Sequence, residues 1–151
     1  MLKLKIPPPV YLATFMGLVW LCHQYFPLYV LIPETARFIG LIIIAIFASL
    51  DLWSVLLFFK SKTTINPLVP KNSQHLVTSG MYQISRNPMY LGLAFILLGW
   101  AIHLGSLSGF LLLPLFVLVL TIQQIKPEEV ILEEKFGETY LQYKNQVRRW
   151  I

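Results

Sequence analysis

Four long apolar stretches dominate this chain, and they restrict its possible folds more than any other feature of the sequence. A membrane-spanning helix needs about 20 mainly apolar residues, and these stretches approach or reach that length. Only 13% of the residues are charged, whereas a typical soluble domain has about 25%. The sequence therefore predicts an all-α integral membrane bundle with about four transmembrane helices, at about residues 10–32, 38–59, 88–103 and 110–125.

The last two stretches are short, with about 16 residues each. That length corresponds to roughly 24 Å of helix, less than the hydrocarbon core of about 30 Å. Between them lies Gly105-Ser-Leu-Ser-Gly109, whose composition is typical of a turn. We therefore expect residues 88–125 to form a tight helical hairpin that barely crosses the membrane or is partly re-entrant.

The basic residues predict the orientation in the membrane. With four spans, every Lys and Arg except Arg37 falls on one side of the bilayer. Because cytoplasmic segments are enriched in Lys and Arg, both termini and the loop at 61–87 are expected in the cytoplasm. The net charge of +5 is spread over segments that flank the apolar stretches. This pattern favours membrane lipids rather than nucleic acid as the partner.

The C-terminal segment, residues 126–151, is predicted to be an amphipathic interfacial helix. Pro127 and the two glutamates that follow it are typical of a first helical turn. Ile131, Leu132 and Phe136 form an apolar stripe that suits a membrane surface. The chain is thus expected to be one domain over residues 1–151, with two spans at 1–60, a cytoplasmic loop at 61–87, the hairpin at 88–125 and the C-terminal helix at 126–151.

Two polar elements flank the predicted hairpin and would meet at the same membrane face. The first, residues 74–92, reads QHLVTSGMYQISRNPMYLG. The second is Glu128-Glu129-x-x-Leu-x-x-x-Phe-Gly-x-x-Tyr140-x-x-Tyr143. Over residues 60–151 these elements resemble the isoprenylcysteine carboxyl methyltransferase family and its phospholipid methyltransferase relatives. The resemblance implies an S-adenosylmethionine-dependent methyltransferase (the EC 2.1.1 class) in the membrane, with the cofactor bound by the cytoplasmic loop.

The resemblance also implies roles for particular residues. Catalytic roles fall to Arg86 and Glu129, and Gln124 is expected to contact the methyl acceptor. The cofactor would be bound by residues of the loop, of the start of the third helix and of the second polar element. These positions are Gln74, His75, Leu76, Val77, Tyr82, Asn87, Pro88, Met89, Tyr90 and Glu128.

Two departures from the family pattern bear on the substrate. The family usually has His where this chain has Asn87, which offers a donor and an acceptor but cannot become a cation. The isoprenylcysteine enzymes have Arg at the position of Gln124, and a neutral amide is a poorer carboxylate partner than a guanidinium. The sequence therefore supports methyl transfer better than it supports an isoprenylcysteine substrate.

The cofactor site would differ from that of soluble methyltransferases. The chain has no Gly-x-Gly-x-x-Gly turn, and its helices leave no room for a doubly wound sheet. S-adenosylmethionine has a carboxylate that needs a cationic or N–H donor, and an ammonium and ribose hydroxyls that need acceptors. Loops and helix ends at the membrane face would have to supply them.

Structural roles also fit these residues. Arg86 can anchor a helix at the headgroups, and Glu128 and Glu129 can complement a helix N-terminus. Asp51 is an acidic residue within a predicted span. Such a residue is functional by default, or its side chain points to an interfacial cation such as Lys60. One cysteine and three histidines without ligand spacing predict no metal site.

The predicted function is methylation of a lipid-like or prenylated acceptor. The alternatives are a phospholipid amine N-methyltransferase, a non-catalytic membrane binding or scaffold protein that kept the cofactor site, and a small transporter.

Overall fold

The computed structural model describes residues 4, 6–26, 29–60 and 76–151, without the side chains of residues 54–60. These residues form helices joined by short turns, and Val30 and Ser106 make an isolated antiparallel bridge. The prediction of an all-α fold is confirmed for this part of the chain. The helices are α1 (Pro8–Tyr25), α2 (Phe38–Lys60), α3 (Pro88–Leu104), α4 (Leu107–Leu120), α5 (Lys126–Phe136) and α6 (Glu138–Gln146).

Among the described residues, two helical segments are long and apolar enough to cross a membrane. They are Glu34–Trp53, with 20 residues, and Leu107–Phe136, with 30 residues. Helix α3 is also apolar but has 17 residues. Helix α1 ends at Tyr25, short of the predicted 10–32. The sequence has Pro27 two residues further on, and proline opposes helix continuation. The count of four spans therefore stays a prediction.

Helices α4 and α5 form one continuous helix, because a π-turn at Thr121–Ile125 joins them without a break. The predicted helix start at Pro127 is thus a continuation of α4 rather than a separate beginning. Proline has no N–H to donate to the carbonyl four residues earlier, which here is that of Gln123. The Leu4 N–H donates to this carbonyl at 3.1 Å. A contact from the other end of the chain therefore satisfies the carbonyl that the proline leaves free.

Helices α1, α3 and α4 enclose the main apolar core. Helix α3 ends at Leu104 and is capped by Gly105, whose φ of 70° suits glycine; α4 begins at Leu107. The fully buried residues Val19, Leu97 and Phe116 come one from each of the three helices. The rings of Phe15 and Phe116 meet edge to face with centroids 5.2 Å apart. This core holds the N-terminus of α3 and the π-turn at fixed positions.

Helix α2 packs on α3 through glycine. A Cβ at Gly99 would lie 2.7 Å from the Gly40 carbonyl oxygen, so the two backbones touch directly. Further along the same interface the Asp51 carboxylate lies against Gly92. Only 6% of the apolar segment within Glu34–Trp53 is buried inside the protein. The rest of its apolar surface is suited to lipid.

Candidate functional site

Three parts of the chain meet at the N-terminal end of α3. They are residues 82–90, the start of α5, and the C-terminal segment 140–150. Tyr140, Tyr143 and Val147 are buried together, and Leu76 and Tyr82 pack against them. The sequence predicted that the first two parts would meet. The third part was predicted only as an interfacial helix.

Glu129 lies between two guanidinium groups. Its Oε1 is 3.3 Å from Arg86 Nη2, and both side chains are 8% exposed. Arg149 donates from Nε to Oε1 at 2.9 Å and from Nη2 to Oε2 at 2.8 Å. This hydrogen bonding to Glu129 raises the pKa of the Arg149 guanidinium. Both Glu129 oxygens are therefore engaged by guanidinium groups.

Arg86 keeps donors that the described residues do not use. Its Nε and Nη1 are buried and have no hydrogen-bond partner in the part of the chain that the structure describes. A buried donor without a partner costs about 1–3 kcal/mol, and more when it is charged. Such groups are normally paired with protein, water or a ligand. An anionic oxygen is a strong acceptor for either of these charged donors.

Glu128 faces a group of tyrosines. The Tyr90 hydroxyl donates to Glu128 Oε2 at 3.0 Å, and Tyr90 is buried. Burial raises the pKa of the Tyr82 phenol above its usual range, and the nearby Glu128 carboxylate raises it further. The Tyr143 hydroxyl donates to the Tyr82 carbonyl at 2.6 Å. Glu128 is thus a carboxylate at the edge of a largely aromatic surface.

Asn87 joins the start of α3 to the C-terminal segment. Its Nδ2 donates to the Arg149 carbonyl at 2.9 Å, and its backbone N–H donates to Ser85 Oγ at 3.1 Å. The Arg86 N–H donates to the Arg148 carbonyl at 3.0 Å. The sequence predicted that Asn87 would offer a donor and an acceptor. In the structure one donor is used to fix the backbone of the site.

The other predicted cofactor residues have mixed placements. Leu76 packs in the tyrosine cluster, whereas Val77 is exposed. Pro88 opens α3 as its first residue, and Met89 follows it, partly buried. Gln74 and His75 lie outside the described residues. The cofactor roles of all these positions stay predictions.

Gln124 belongs to a different part of the structure. It lies in the π-turn and is fully buried. Its Nε2 donates to the Ile6 carbonyl at 2.8 Å, and its Oε1 has no partner within the described residues. Its amide therefore faces the N-terminal segment rather than the guanidinium pair around Glu129. Single π-turns in long helices often occur at functional sites.

Sequence reasoning missed several residues of the site. Ser85 is fully buried and bridges Asn87 to the tail, and Arg149 holds Glu129. Tyr140 and Tyr143 were part of the quoted pattern, but no role was assigned to them. Burial, followed by the charge of Glu129, raises the pKa of Tyr140 to about 12. Arg149 had no local signal, because its partner lies 20 residues away in sequence.

The fold and the site together define a class: a helical membrane protein with a buried, charged cluster where its helices and its C-terminal segment meet. Residues 35–139 match the phospholipid methyltransferase family, and the chain belongs to that family. The sequence-based resemblance is thereby confirmed. This is a family of membrane methyltransferases.

Two relatives show the range of similarity. The chain is 48% identical over 63 residues to a Haemophilus influenzae protein described as uncharacterized, covering all of that protein and 42% of this chain. It is 37% identical over 78 residues to the protein-S-isoprenylcysteine O-methyltransferase of Schizosaccharomyces pombe. That match covers 51% of this chain and 33% of the fission yeast protein. No solved structure matches the chain.

Proposed function

We propose that the protein is an S-adenosylmethionine-dependent methyltransferase that methylates a lipid-like or prenylated acceptor at the membrane. The observation that carries this proposal is the pair of buried Arg86 nitrogens, Nε and Nη1, that have no partner within the described residues and lie on the guanidinium held by Glu129. Membership of the phospholipid methyltransferase family supports methyl transfer as the chemistry. The match to the fission yeast enzyme supports a prenylated acceptor as one option.

The chemistry of the residues fits this cofactor. Nε–H or Nη1–H of Arg86 would donate a charge-assisted hydrogen bond to an oxygen of the cofactor carboxylate. The Glu128 carboxylate would accept from the ammonium or from ribose hydroxyls. Tyr82 and Tyr90 would supply apolar surface for the adenine, next to Glu128. The bound cofactor would supply a methyl group on a sulfonium, which is already activated for displacement.

The residues of the chain have to align the acceptor and exclude water. Tyr90 and Tyr140 are buried, and their rings would help to keep water from the site. We assign Glu129 to holding Arg86 and Arg149, because both of its oxygens are engaged. A carboxylate acceptor needs no base, so it is compatible with an engaged Glu129.

A phospholipid amine is the second candidate acceptor, and Gln124 favours it. The neutral amide donates to the N-terminal backbone and offers no cation to hold a substrate carboxylate. An amine acceptor would have to lose a proton before transfer. Because both Glu129 oxygens are engaged, we assign the role of proton acceptor to His75 of the cytoplasmic loop, which lies outside the described residues.

We place the site and both termini on the cytoplasmic side, as the distribution of basic residues predicts. The acceptor would enter sideways between helices, because its lipid tail stays in the bilayer while its reactive end meets the site. Reporter fusions at each terminus test this orientation, and activity only on the outer side would contradict it.

Binding and turnover together test the proposed function. Calorimetry in detergent should show stoichiometric binding of S-adenosylhomocysteine, and labelled S-adenosylmethionine should transfer its methyl group to membrane lipid extract or a prenylcysteine analogue. Absence of binding at millimolar ligand would refute the proposal. Saturable binding without turnover on any acceptor would favour a non-catalytic module. Lys126→Gln, which removes an exposed charge at the start of α5, is the control.

A further inference from the structure

Asp51 is an acidic residue in the apolar part of α2 that the proposed site does not use. It lies two residues before the end of the candidate span Glu34–Trp53. Its Oδ2 is buried and has no hydrogen-bond partner within the described residues. A carboxylate oxygen needs donors and the O–H of a neutral acid needs an acceptor, so this atom lacks a partner in either protonation state. Ionisable residues within membrane spans generally serve a function.

The carboxylate is turned toward α3 rather than toward lipid. A Cβ at Gly92 would overlap both carboxylate oxygens of Asp51. The carboxylate thus occupies the space that the absent side chain of Gly92 leaves. The next two residues of α2, Leu52 and Trp53, are exposed. Asp51 is therefore an acidic group placed at the α2–α3 interface, and glycine is required opposite it.

The carboxylate lies near the end of α3 at which the candidate site is formed. Helices α2 and α3 are antiparallel, since Phe47 stacks on Phe95 with centroids 4.2 Å apart and Asp51, further along α2, lies at Gly92. Gly92 is one helical turn after Pro88, roughly 6 Å along the axis. Asp51 therefore lies where the apolar segments of both helices end, within reach of a lipid headgroup at that membrane face.

The cations of the described chain do not neutralise Asp51. No Lys, Arg or His forms an ion pair with it in the part of the chain that the structure describes. Lys60 is the nearest basic position in sequence, and α2 is continuous up to it. It is nine residues further, which is roughly 13 Å along the axis and about 2.5 turns around it. The two positions are thus on opposite faces of the helix.

A lipid amine has the chemistry that fits this carboxylate. Its ammonium carries three N–H donors and a positive charge, and it is attached to acyl chains that remain in the bilayer. Hydrogen bonds between ionised groups are the strong ones. A lipid that ends in a carboxylate would instead meet a like charge, which is unfavourable.

We propose that Asp51 binds the ammonium group of an amine phospholipid between α2 and α3, and so selects amine lipids as methyl acceptors. The inference rests on the proposed function for the methyl transfer, and it favours the second of the two candidate acceptors. It assigns Asp51 no contact with the methyl donor and no part in proton transfer. The binding itself requires no cofactor, so it can be measured separately.

The test compares two lipids that differ in the ammonium. They are phosphatidylethanolamine and its N-acetyl derivative with the same acyl chains, in which a neutral amide replaces the ammonium. Native mass spectrometry of the protein from detergent gives the ratio of the two one-to-one complexes. The wild-type protein should prefer phosphatidylethanolamine about ten- to hundredfold. Asp51→Asn, which keeps the shape and removes the charge, should lose most of this preference.

Two further variants separate the carboxylate at this position from charge in general. Glu34→Gln removes the same charge from a highly exposed side chain just before the other end of α2, and it should keep the wild-type preference. Gly92→Ala keeps the charge of Asp51, but its Cβ displaces the carboxylate, so it should weaken the preference. The affinity for S-adenosylhomocysteine should be unchanged in Asp51→Asn, because Asp51 does not contact the donor.

The outcomes distinguish the inference from the proposed function. A wild-type protein without the ammonium preference, or the full preference in Asp51→Asn, overturns the inference. If Asp51→Asn does not fold, the full preference in Gly92→Ala overturns it. Binding of S-adenosylhomocysteine and methyl transfer without an Asp51-dependent preference would leave the function and remove the inference alone. An Asp51-dependent preference in a protein that binds no S-adenosylhomocysteine would support the lipid site and refute the function.

Discussion

Replacing Glu128 by alanine tests whether this carboxylate serves the ligand or only the fold. In the structure its Oε2 accepts from the buried Tyr90 hydroxyl at 3.0 Å. Glu128→Ala leaves that hydroxyl without its partner. An unsatisfied buried group of this kind costs about 1–3 kcal/mol, so we expect a lower midpoint of unfolding in detergent but a folded protein.

The expected effect on ligand binding is separate from that stability loss. A carboxylate that accepts from an ammonium or from ribose hydroxyls contributes about 1.5–3 kcal/mol. Since about 1.4 kcal/mol is a tenfold change in affinity, Glu128→Ala should weaken S-adenosylhomocysteine binding by roughly ten- to hundredfold. Glu128→Gln should lose less if the partner is a hydroxyl, and nearly as much if the partner is the ammonium. Calorimetry gives these dissociation constants directly.

Tyr90→Phe is the matched control, because it removes the other half of the same hydrogen bond. It should lower stability to a similar or smaller degree and leave ligand affinity within a few fold. The double variant should be less destabilised than the sum of the two single variants, since neither group is then left unpaired. Wild-type affinity in Glu128→Ala would show that the residue only supports Tyr90, and the reasoning would be wrong.

Three further outcomes follow from the packing and the charges. Gly99→Ala should separate α2 from α3 at the Gly40 contact and destabilise the protein by about 1–3 kcal/mol. Gly17→Ala, whose new Cβ has no described atom within 4 Å, should be neutral in the same thermal melts. Gln124→Arg should lower turnover on the natural acceptor and raise it on a prenylcysteine carboxylate, and an unchanged ratio of the two turnovers would contradict the role of this position. The pKa of Tyr140 is raised from 10.0 to about 12, so its stabilising effect is complete below pH 10 and is lost as pH rises toward 12; Tyr140→Phe should flatten this decline in the unfolding midpoint.

Local patterns in the sequence were sufficient to predict most of α2 and the start of α3. The apolar stretch at 38–59 corresponds to most of α2, and Pro88 opens α3 as predicted. Proline at a first helical position and a glycine after the last turn act within a few residues of the chain. Such signals can be found without knowledge of the tertiary structure.

The joining of α4 and α5 could not be predicted in this way. Pro127 and the glutamates after it have the local pattern of a helix start. The helix nevertheless runs through them, because the Gln123 carbonyl that lacks a helical partner is satisfied by Leu4. That contact joins residues 119 positions apart in the sequence, and a local pattern contains no information about it.

The candidate site was also predictable only in part: the sequence indicated its main residues but not their partners. Arg86, Asn87, Tyr90, Glu128 and Glu129 were predicted together, and the structure brings them into one cluster. Their actual partners include the Arg149 side chain, the backbone carbonyls of 148 and 149, and buried Ser85. These contacts form only once the C-terminal segment folds back over the start of α3.

The continuous helix at 107–136 relates the thickness of the bilayer to the geometry of the site. Its 30 residues correspond to roughly 45 Å at 1.5 Å per residue, so one rod reaches from the hydrocarbon core to the two glutamates. A thinner or thicker bilayer is accommodated by helix tilt. Since Leu4 and Trp150 are hydrogen-bonded to the π-turn, the N-terminal segment, the tail and the glutamates would tilt as one body. Lipid chain length would then change the height of the whole charged cluster above the membrane core, without changing the distances within it.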